Sequence, residues 1–207
     1  MKVILINGSP EAYGCTYTAL SEVAAALQKN KIETEIFQLG IKPISGCRAC
    51  DKCFDLGKCI INDDPVNIFI DKADEYDGFI LGSPVHYSSS SGTITSFLDR
   101  VFYASSHKLA FKPGAAIVCC RRAGSTAALD QLNKYFTINN MPVVSSQYWN
   151  MVHGASPKDV EQDLEGMQTM RTLGNNMAWL LHCIKAGKAA GITLPEKEKR
   201  VWTNFIR

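Results

Sequence analysis

The feature that most constrains the fold is a regular alternation of short apolar runs with amphipathic helical patterns. Lys2 to Asn7 is an apolar run with β-branched residues, the signature of a strand buried on both faces. Leu20, Val23, Ala24 and Leu27 follow at helical spacing. The pattern predicts further strands at 34–39, 78–82, 115–120 and 142–148. Between them, three stripes mark helices: Val66, Phe69, Ile70 and Ala73; Ile94, Phe97, Leu98, Val101 and Phe102; Leu129, Leu132 and Phe136. Asp64 before Pro65 reads as an N-cap followed by proline at the first helical position. Leu173, Met177, Leu180, Leu181 and Ile184 mark a long last helix, and residues 185–207 form a polar tail.

Five strands separated by helices imply an α/β fold with a parallel sheet covered on both faces. The expected class is a flavodoxin-like, doubly wound five-stranded sheet in the order 2-1-3-4-5, whose ligand site lies at the carboxyl ends of the strands. The 207 residues suit one domain spanning 1–207, with a cysteine-rich insertion at about 45–62 and a C-terminal helix and tail from about 159. A hydrophobic share of 46% and a charged share of 20% fit a globular chain. A net charge of +2 without a basic run argues against nucleic acid as a partner. No apolar run has the length of a membrane span, and the first ten residues break at Asn7-Gly8 too soon for a signal peptide, so a cytoplasmic location is expected.

The loops after the strands carry the chemistry. The first runs from Asn7 to Thr18, and Ser9, Thr16, Tyr17 and Thr18 are its candidate ligand-binding residues. Its glycines permit a tight turn into a helix N-terminus, where free N–H groups and the positive dipole end favour a phosphate. It lacks the G-K-[ST] of a Walker loop and the G-x-G-x-x-G of a dinucleotide site. The bland alternative is an ordinary Gly/Ser turn capped by Thr16. The third loop, Gly82 to Gly92, places Pro84, Val85, His86 and Tyr87 directly after a buried strand, where they could pack against a flat ring; otherwise it is a solvated serine-rich loop. The fourth loop offers Arg122 and Gly124 beside Arg121. It could close over a ring and stabilise negative charge, or its arginines could be solvated surface.

Four of eight cysteines, Cys47, Cys50, Cys53 and Cys59, crowd into thirteen positions. Three at intervals of three can wrap one corner of a four-iron–four-sulfur cubane while the fourth closes it. Zinc is the competing metal, although structural zinc more often uses two separated C-x-x-C knuckles. A loop that holds no metal is the third reading. Cys119, Cys120 and Cys183 read as structural, and packing is the expected role of Cys15. The histidines at 86, 107, 153 and 182 share no metal-ligand spacing.

Taken together, Gly8-Ser9-Pro10 with Gly14 and Thr16, Ser83-Pro84-Val85 with Tyr87, Phe97-Leu98-Asp99-Arg100, and the four-cysteine loop resemble the NADPH-dependent FMN reductase family, and within it the iron–sulfur flavoprotein branch. The resemblance covers roughly residues 1–185. It implies FMN held by its phosphate near Ser9 and Thr16, with the ring near Pro84–Tyr87 and Gly124. It implies NAD(P)H as co-substrate and electrons passed to a small acceptor such as a flavin or quinone. No side chain is named as an acid or base. The alternative is an electron carrier that pairs FMN and a cluster with a ferredoxin-like partner. Family members commonly have arginine where Glu11 stands and asparagine where Cys15 stands, so Glu11 is expected to face solvent. The cysteine loop leaves strand two at the sheet edge, whereas the ring belongs beyond strand three. At ~4.8 Å per strand the centres lie about 10–15 Å apart. A homodimer or homotetramer that brings one chain's cysteine loop to another chain's ring is therefore expected, with Phe54, Tyr103 and Trp149 as interface material.

Overall fold

The structure is a computed structural model that describes residues 1–196, 198–199 and 201–205. Its centre is a parallel sheet of β1 (Lys2–Asn7), β2 (Glu33–Gln38), β3 (Gly78–His86), β5 (Gly114–Cys120) and β6 (Met151–His153). The two-residue β4 (Ser89–Ser90) folds back antiparallel on β3. The order is β2-β1-β3-β5-β6, which is 2-1-3-4-5 when only the parallel strands are counted. The expected flavodoxin-like sheet is therefore present.

Strand periodicity divides the core. Ile4 and Ile6, Phe79 and Leu81, and Ala116 and Val118 face α3 (Pro65–Lys72), α4 (Gly92–Leu109) and α5 (Ser125–Thr137). The alternate residues Val3 and Leu5, Ile80, and Ala115, Ile117 and Cys119 face α1 (Cys15–Lys29), α6 (Pro157–Gln162) and α7 (Leu164–Ala189). The anticipated stripes form these contacts: Leu20, Val23, Ala24 and Leu27 are buried, as are Val66, Phe69 and Ile70. Asp64 caps α3 through a bond from the Val66 N–H to Oδ1 (3.1 Å). No helix among the described residues is long and apolar enough to cross a membrane.

One strand is displaced from its expected position. Residues 142–148 touch the sheet through a single bridge, Val143 to Gly114. The chain then leaves the sheet and rejoins it at Asn150, whose carbonyl accepts from Val118 N–H and whose Nδ2 donates to Ala116 O. Pairing resumes only at Met151–His153. Pro142 supplies no N–H to a ladder, and Gln147 and Ser146 bond α7 instead, to Thr172 and Thr169. The last helix also starts earlier than its stripe suggests, at Leu164, with Asp163 Oδ1 capping Gly166 N–H.

Candidate flavin cleft and cysteine pocket

At the carboxyl ends of β1, β3 and β5 lies an open cleft of about 610 Å³, within the usual size range of small-molecule sites. Its first wall is the loop from β1 to α1. Asn7 organises that loop: Oδ1 accepts from Ser9 N–H (3.1 Å), and Nδ2 donates to Gln38 Oε1 (2.5 Å). Gln38 in turn donates to Ser9 O (2.8 Å), and Ser9 Oγ accepts from Glu11 N–H (3.1 Å). Gly8 N–H bonds Gly82 O at 2.8 Å, so the loop lies hard against β3. A Cβ on Gly8 would stand 2.7 Å from Ile94 Cβ and 2.9 Å from the Gly82 carbonyl, which leaves room only for glycine.

The loop delivers the chain into α1 at Gly14, and no side chain caps that helix start. The first-turn N–H groups and the positive dipole end therefore face the cleft without a built-in acceptor. Ser9 and Thr16 line it and are buried, whereas Glu11 is exposed at its mouth, as expected. The opposite wall is Pro84, Val85 and His86, and Arg121 stands at the rim.

The structure gathers some predicted residues here and not others. Ser9, Thr16, Pro84, Val85 and His86 line the cleft. Tyr17 instead packs edge-on against Tyr13 at 5.1 Å, and Thr18 Oγ1 turns back to Gly14 O (3.2 Å). Tyr87, Arg122 and Gly124 are outside the cleft lining, where Arg121 takes the place expected for Arg122. The third loop is in fact a strand extension and hairpin. β3 runs on to His86, and Tyr87 and Ser88 turn with φ of 50° and 59°, which leaves the Tyr87 ring fully exposed. Gly124 sits at φ 87° against that hairpin, and a Cβ there would stand 2.8 Å from Ser88 Cα. The segment Gly154–Pro157 and the thiols Cys119 and Cys120 complete the lining and escaped the sequence reading. The displaced fifth strand explains the first omission, since the loop entering α6 starts at Gly154 rather than after Tyr148.

The cysteine loop does not remain at the sheet edge. It crosses to the α3/α4 face, where Cys47, Cys50, Cys53 and Cys59 line one pocket with Arg100 and Tyr103 of α4. Ala49 and Asp51 take left-handed φ of 48° and 59°, which coils the segment between the sulfurs. The short α2 (Lys52–Leu56) follows, and Phe54 stacks on Tyr103 at 5.2 Å while the Tyr103 hydroxyl donates to Asp51 Oδ1. Cys59 is fixed from two sides. Asn67 accepts from its N–H (2.9 Å) and donates to its carbonyl (2.8 Å), and Arg100 Nε donates to its sulfur (3.1 Å).

Arg100 has a fully buried side chain, paired with Asp64 and donating to Ser45 O and Ile61 O. Burial opposes its charge, but Asp64 and Cys59 outweigh burial and hold its pKa above the usual arginine value. Burial likewise pushes the Cys53 thiol up, reinforced by Cys59, Cys47 and Cys50 nearby. All eight cysteines are free thiols, and Cys183 is exposed rather than packed. Among the described residues, no three Cys, His, Asp or Glu side chains are grouped to grip a single ion. Four soft sulfur donors with N–H and guanidinium hydrogen bonds to two of them nevertheless suit an iron–sulfur group in chemistry.

Fold and cleft together define a flavodoxin-like α/β protein with an anion-ready loop over the carboxyl edge of its sheet. The NADPH-dependent FMN reductase family profile matches residues 1–156, and the chain belongs to that family of oxidoreductases. An iron-sulfur flavoprotein of Methanocaldococcus jannaschii is 34% identical over 193 residues, covering 89% of this chain and all of that protein. An iron-sulfur flavoprotein of Methanosarcina thermophila is 24% identical over 91% of this chain and 99% of its own length. Among solved structures, an NAD(P)H:quinone oxidoreductase from Methanothermobacter marburgensis superposes with a TM-score of 0.66 at 13% identity, covering 86% of this chain and 96% of that one. An apo NADH:FMN oxidoreductase gives 0.64 at 16%, covering 86% and 89%. At those identities the structural likeness bears on the fold alone.

Proposed function

We propose that the protein takes electrons from NAD(P)H through bound FMN and passes them to a small acceptor such as a flavin or quinone. The observation that supports this most directly is the cleft itself. An uncapped helix start, two buried hydroxyl residues and an apolar wall meet there at the carboxyl ends of three strands. FMN, when bound, supplies hydride acceptance and electron transfer. Ser9, Thr16 and the first-turn amides of α1 hold its phosphate. Pro84, Val85 and His86 supply one wall for its ring, with Tyr87 and Gly124 beyond it. Arg121, rather than Arg122, contributes positive charge at the rim. Steady-state oxidation of NADPH or NADH in the presence of FMN or a quinone tests this reading. Turnover dependent on FMN supports it, and FMN-loaded protein that consumes neither nucleotide refutes it.

A second reading rests on the cysteine pocket and on the names of the relatives. Cys47, Cys50, Cys53 and Cys59 hold a four-iron–four-sulfur cluster, and the protein exchanges electrons with a ferredoxin-like partner in the cytoplasm. Among the described residues none lines both pockets, so relay between the two centres favours a homodimer or homotetramer. Exposed Phe54, Tyr103 and Trp149 supply apolar surface for such an assembly. Anaerobic reconstitution with iron and sulfide tests the cluster: iron absorbance should appear in the wild type and vanish in Cys50→Ala with FMN retained. A wild type that gains no iron refutes it, and a monomer in sedimentation refutes the relay between subunits.

A further inference from the structure

A fully buried arginine side chain has to place its N–H donors on partners inside the protein. Arg100 places most of them on oxygens: the Asp64 carboxylate, Ser45 O (3.2 Å) and Ile61 O (2.8 Å). Ser45 precedes Cys47 and Ile61 follows Cys59, so this side chain ties both ends of the cysteine segment to α4. Its remaining bond is of another kind. Nε donates to Cys59 Sγ at 3.1 Å, and a neutral thiol is a weak acceptor. A buried charged donor is well matched by a sulfur that carries negative charge, as a metal-bound cysteine does. Cys59 is also held by its backbone. Asn67, itself buried, accepts from its N–H and donates to its carbonyl, whereas Cys47 and Cys50 are exposed.

We propose that Arg100 is a positioning residue for the cysteine pocket: it fixes the Cys59 sulfur as a ligand of an iron–sulfur group, and its Nε–H raises the reduction potential of that group. The statement rests on the second reading given above, in which the four cysteines hold a cluster. Reduction adds one electron from a one-electron donor of the ferredoxin class. The added negative charge is shared with the ligand sulfurs, and Arg100 then donates to a stronger acceptor. No bond of the protein breaks and no proton leaves. Arg100 therefore stabilises the reduced form more than the oxidised one. Asp64 balances the guanidinium charge at Nη1, so Cys59 meets a directed N–H from a pair of zero net charge.

Two readouts separate this role from that of a mere staple. The first is the potential. Arg100→Met combined with Asp64→Asn replaces the ion pair by two neutral side chains, keeps an acceptor for the α3 cap, and removes the Nε–H. Wild type and double variant are reconstituted anaerobically with iron and sulfide and titrated with dithionite under potential control. In the variant the reduction equilibrium should shift at least tenfold toward the oxidised form, about 59 mV for one electron. Water entering in place of the arginine would favour the more negative reduced form and push the other way, so the sign discriminates between them.

The second readout keeps Arg100 in place. Among the described residues Arg48 is the other arginine lining the pocket, and it is exposed. Arg48→Lys protein grown on arginine with heavy-nitrogen guanidinium therefore leaves Arg100 as the labelled side chain there. Pulsed electron paramagnetic resonance of the reduced group should show a heavy-nitrogen coupling that unlabelled protein lacks. An unchanged or raised potential in the double variant overturns the proposal, and so does labelled protein without the coupling. If the double variant fails to fold or to load, the coupling alone decides. If wild type takes up no iron and sulfide, the cluster reading fails and this inference with it. A wild type that loads normally beside a variant of unshifted potential refutes the role of Arg100 alone.

Discussion

Replacing Asp64 with asparagine probes what holds the cysteine loop to the body of the protein. The Asp64 carboxylate is 5% exposed and the Arg100 side chain is 0% exposed, so the pair is out of water. Asparagine keeps an acceptor for the Val66 N–H and so preserves the α3 cap, but it removes the carboxylate that pairs with Arg100. A buried guanidinium left without its counter-charge costs about 3–5 kcal/mol. Ser45 O, Ile61 O and Cys59 Sγ still accept from Arg100, so the lower end, about 3 kcal/mol, is expected. Asp64→Ala should cost about 1 kcal/mol more, because the cap is lost as well. Urea denaturation with far-ultraviolet circular dichroism measures both. A loss below about 1 kcal/mol for Asp64→Asn would match an exposed ion pair and would refute the sequestered anchor.

Glu35 makes the opposite kind of pair, about 30% exposed, with Lys72 and Lys2. Burial pushes its carboxyl up, but hydrogen bonds from Lys72 and Tyr76 outweigh burial and leave it below the usual glutamate range. A lowered folded value means stabilisation that is complete above the unfolded pKa and is lost as pH falls through the folded one. The gap between wild type and Glu35→Gln, under about 1 kcal/mol at neutral pH, should therefore close as pH falls through the lowered folded value, and a gap that widens on acidification contradicts the sign. Gly8→Ala should destabilise by roughly 1–3 kcal/mol through its clash with Ile94 and the Gly82 carbonyl; unchanged stability would show that the loop can yield there. Thr16→Val should weaken FMN binding by roughly 1–3 kcal/mol, and unchanged affinity in a fluorescence titration would remove Thr16 from the phosphate site.

The sheet order was legible because each buried strand and each helix carries its own period. β1 shows this in an unbroken buried apolar run, Val3 to Ile6, and α3 in its Asp64-Pro65 start. The fifth strand was misplaced because residues 142–148 have strand composition yet bond α7, a tertiary competition that no local pattern reports. The same error hid Gly154–Pro157 from the predicted site. The Ser83–Tyr87 stretch reads as a loop by composition, but the left-handed pair Tyr87–Ser88 makes it a hairpin without the usual glycine signal. In the sequence Arg100 is simply the last residue of Phe97-Leu98-Asp99-Arg100. Its grip on Cys59 spans 41 residues and depends on the cysteine loop crossing a whole helix layer. The apolar stripe of α4 was the available hint: Arg100 lies three residues after Phe97 and four before Ala104, on the buried face, whereas Asp99 beside it is exposed.

The central claim is that the cleft at the carboxyl ends of β1, β3 and β5 holds FMN. Its most direct test is a titration of reduced, cofactor-free protein into FMN, followed by flavin fluorescence and visible absorbance. The account predicts saturation at about one FMN per chain, with binding weakened in Thr16→Val and Gly8→Ala and unaffected in Cys50→Ala. A protein that takes up no FMN, or one whose FMN binding is insensitive to both cleft substitutions, would contradict it.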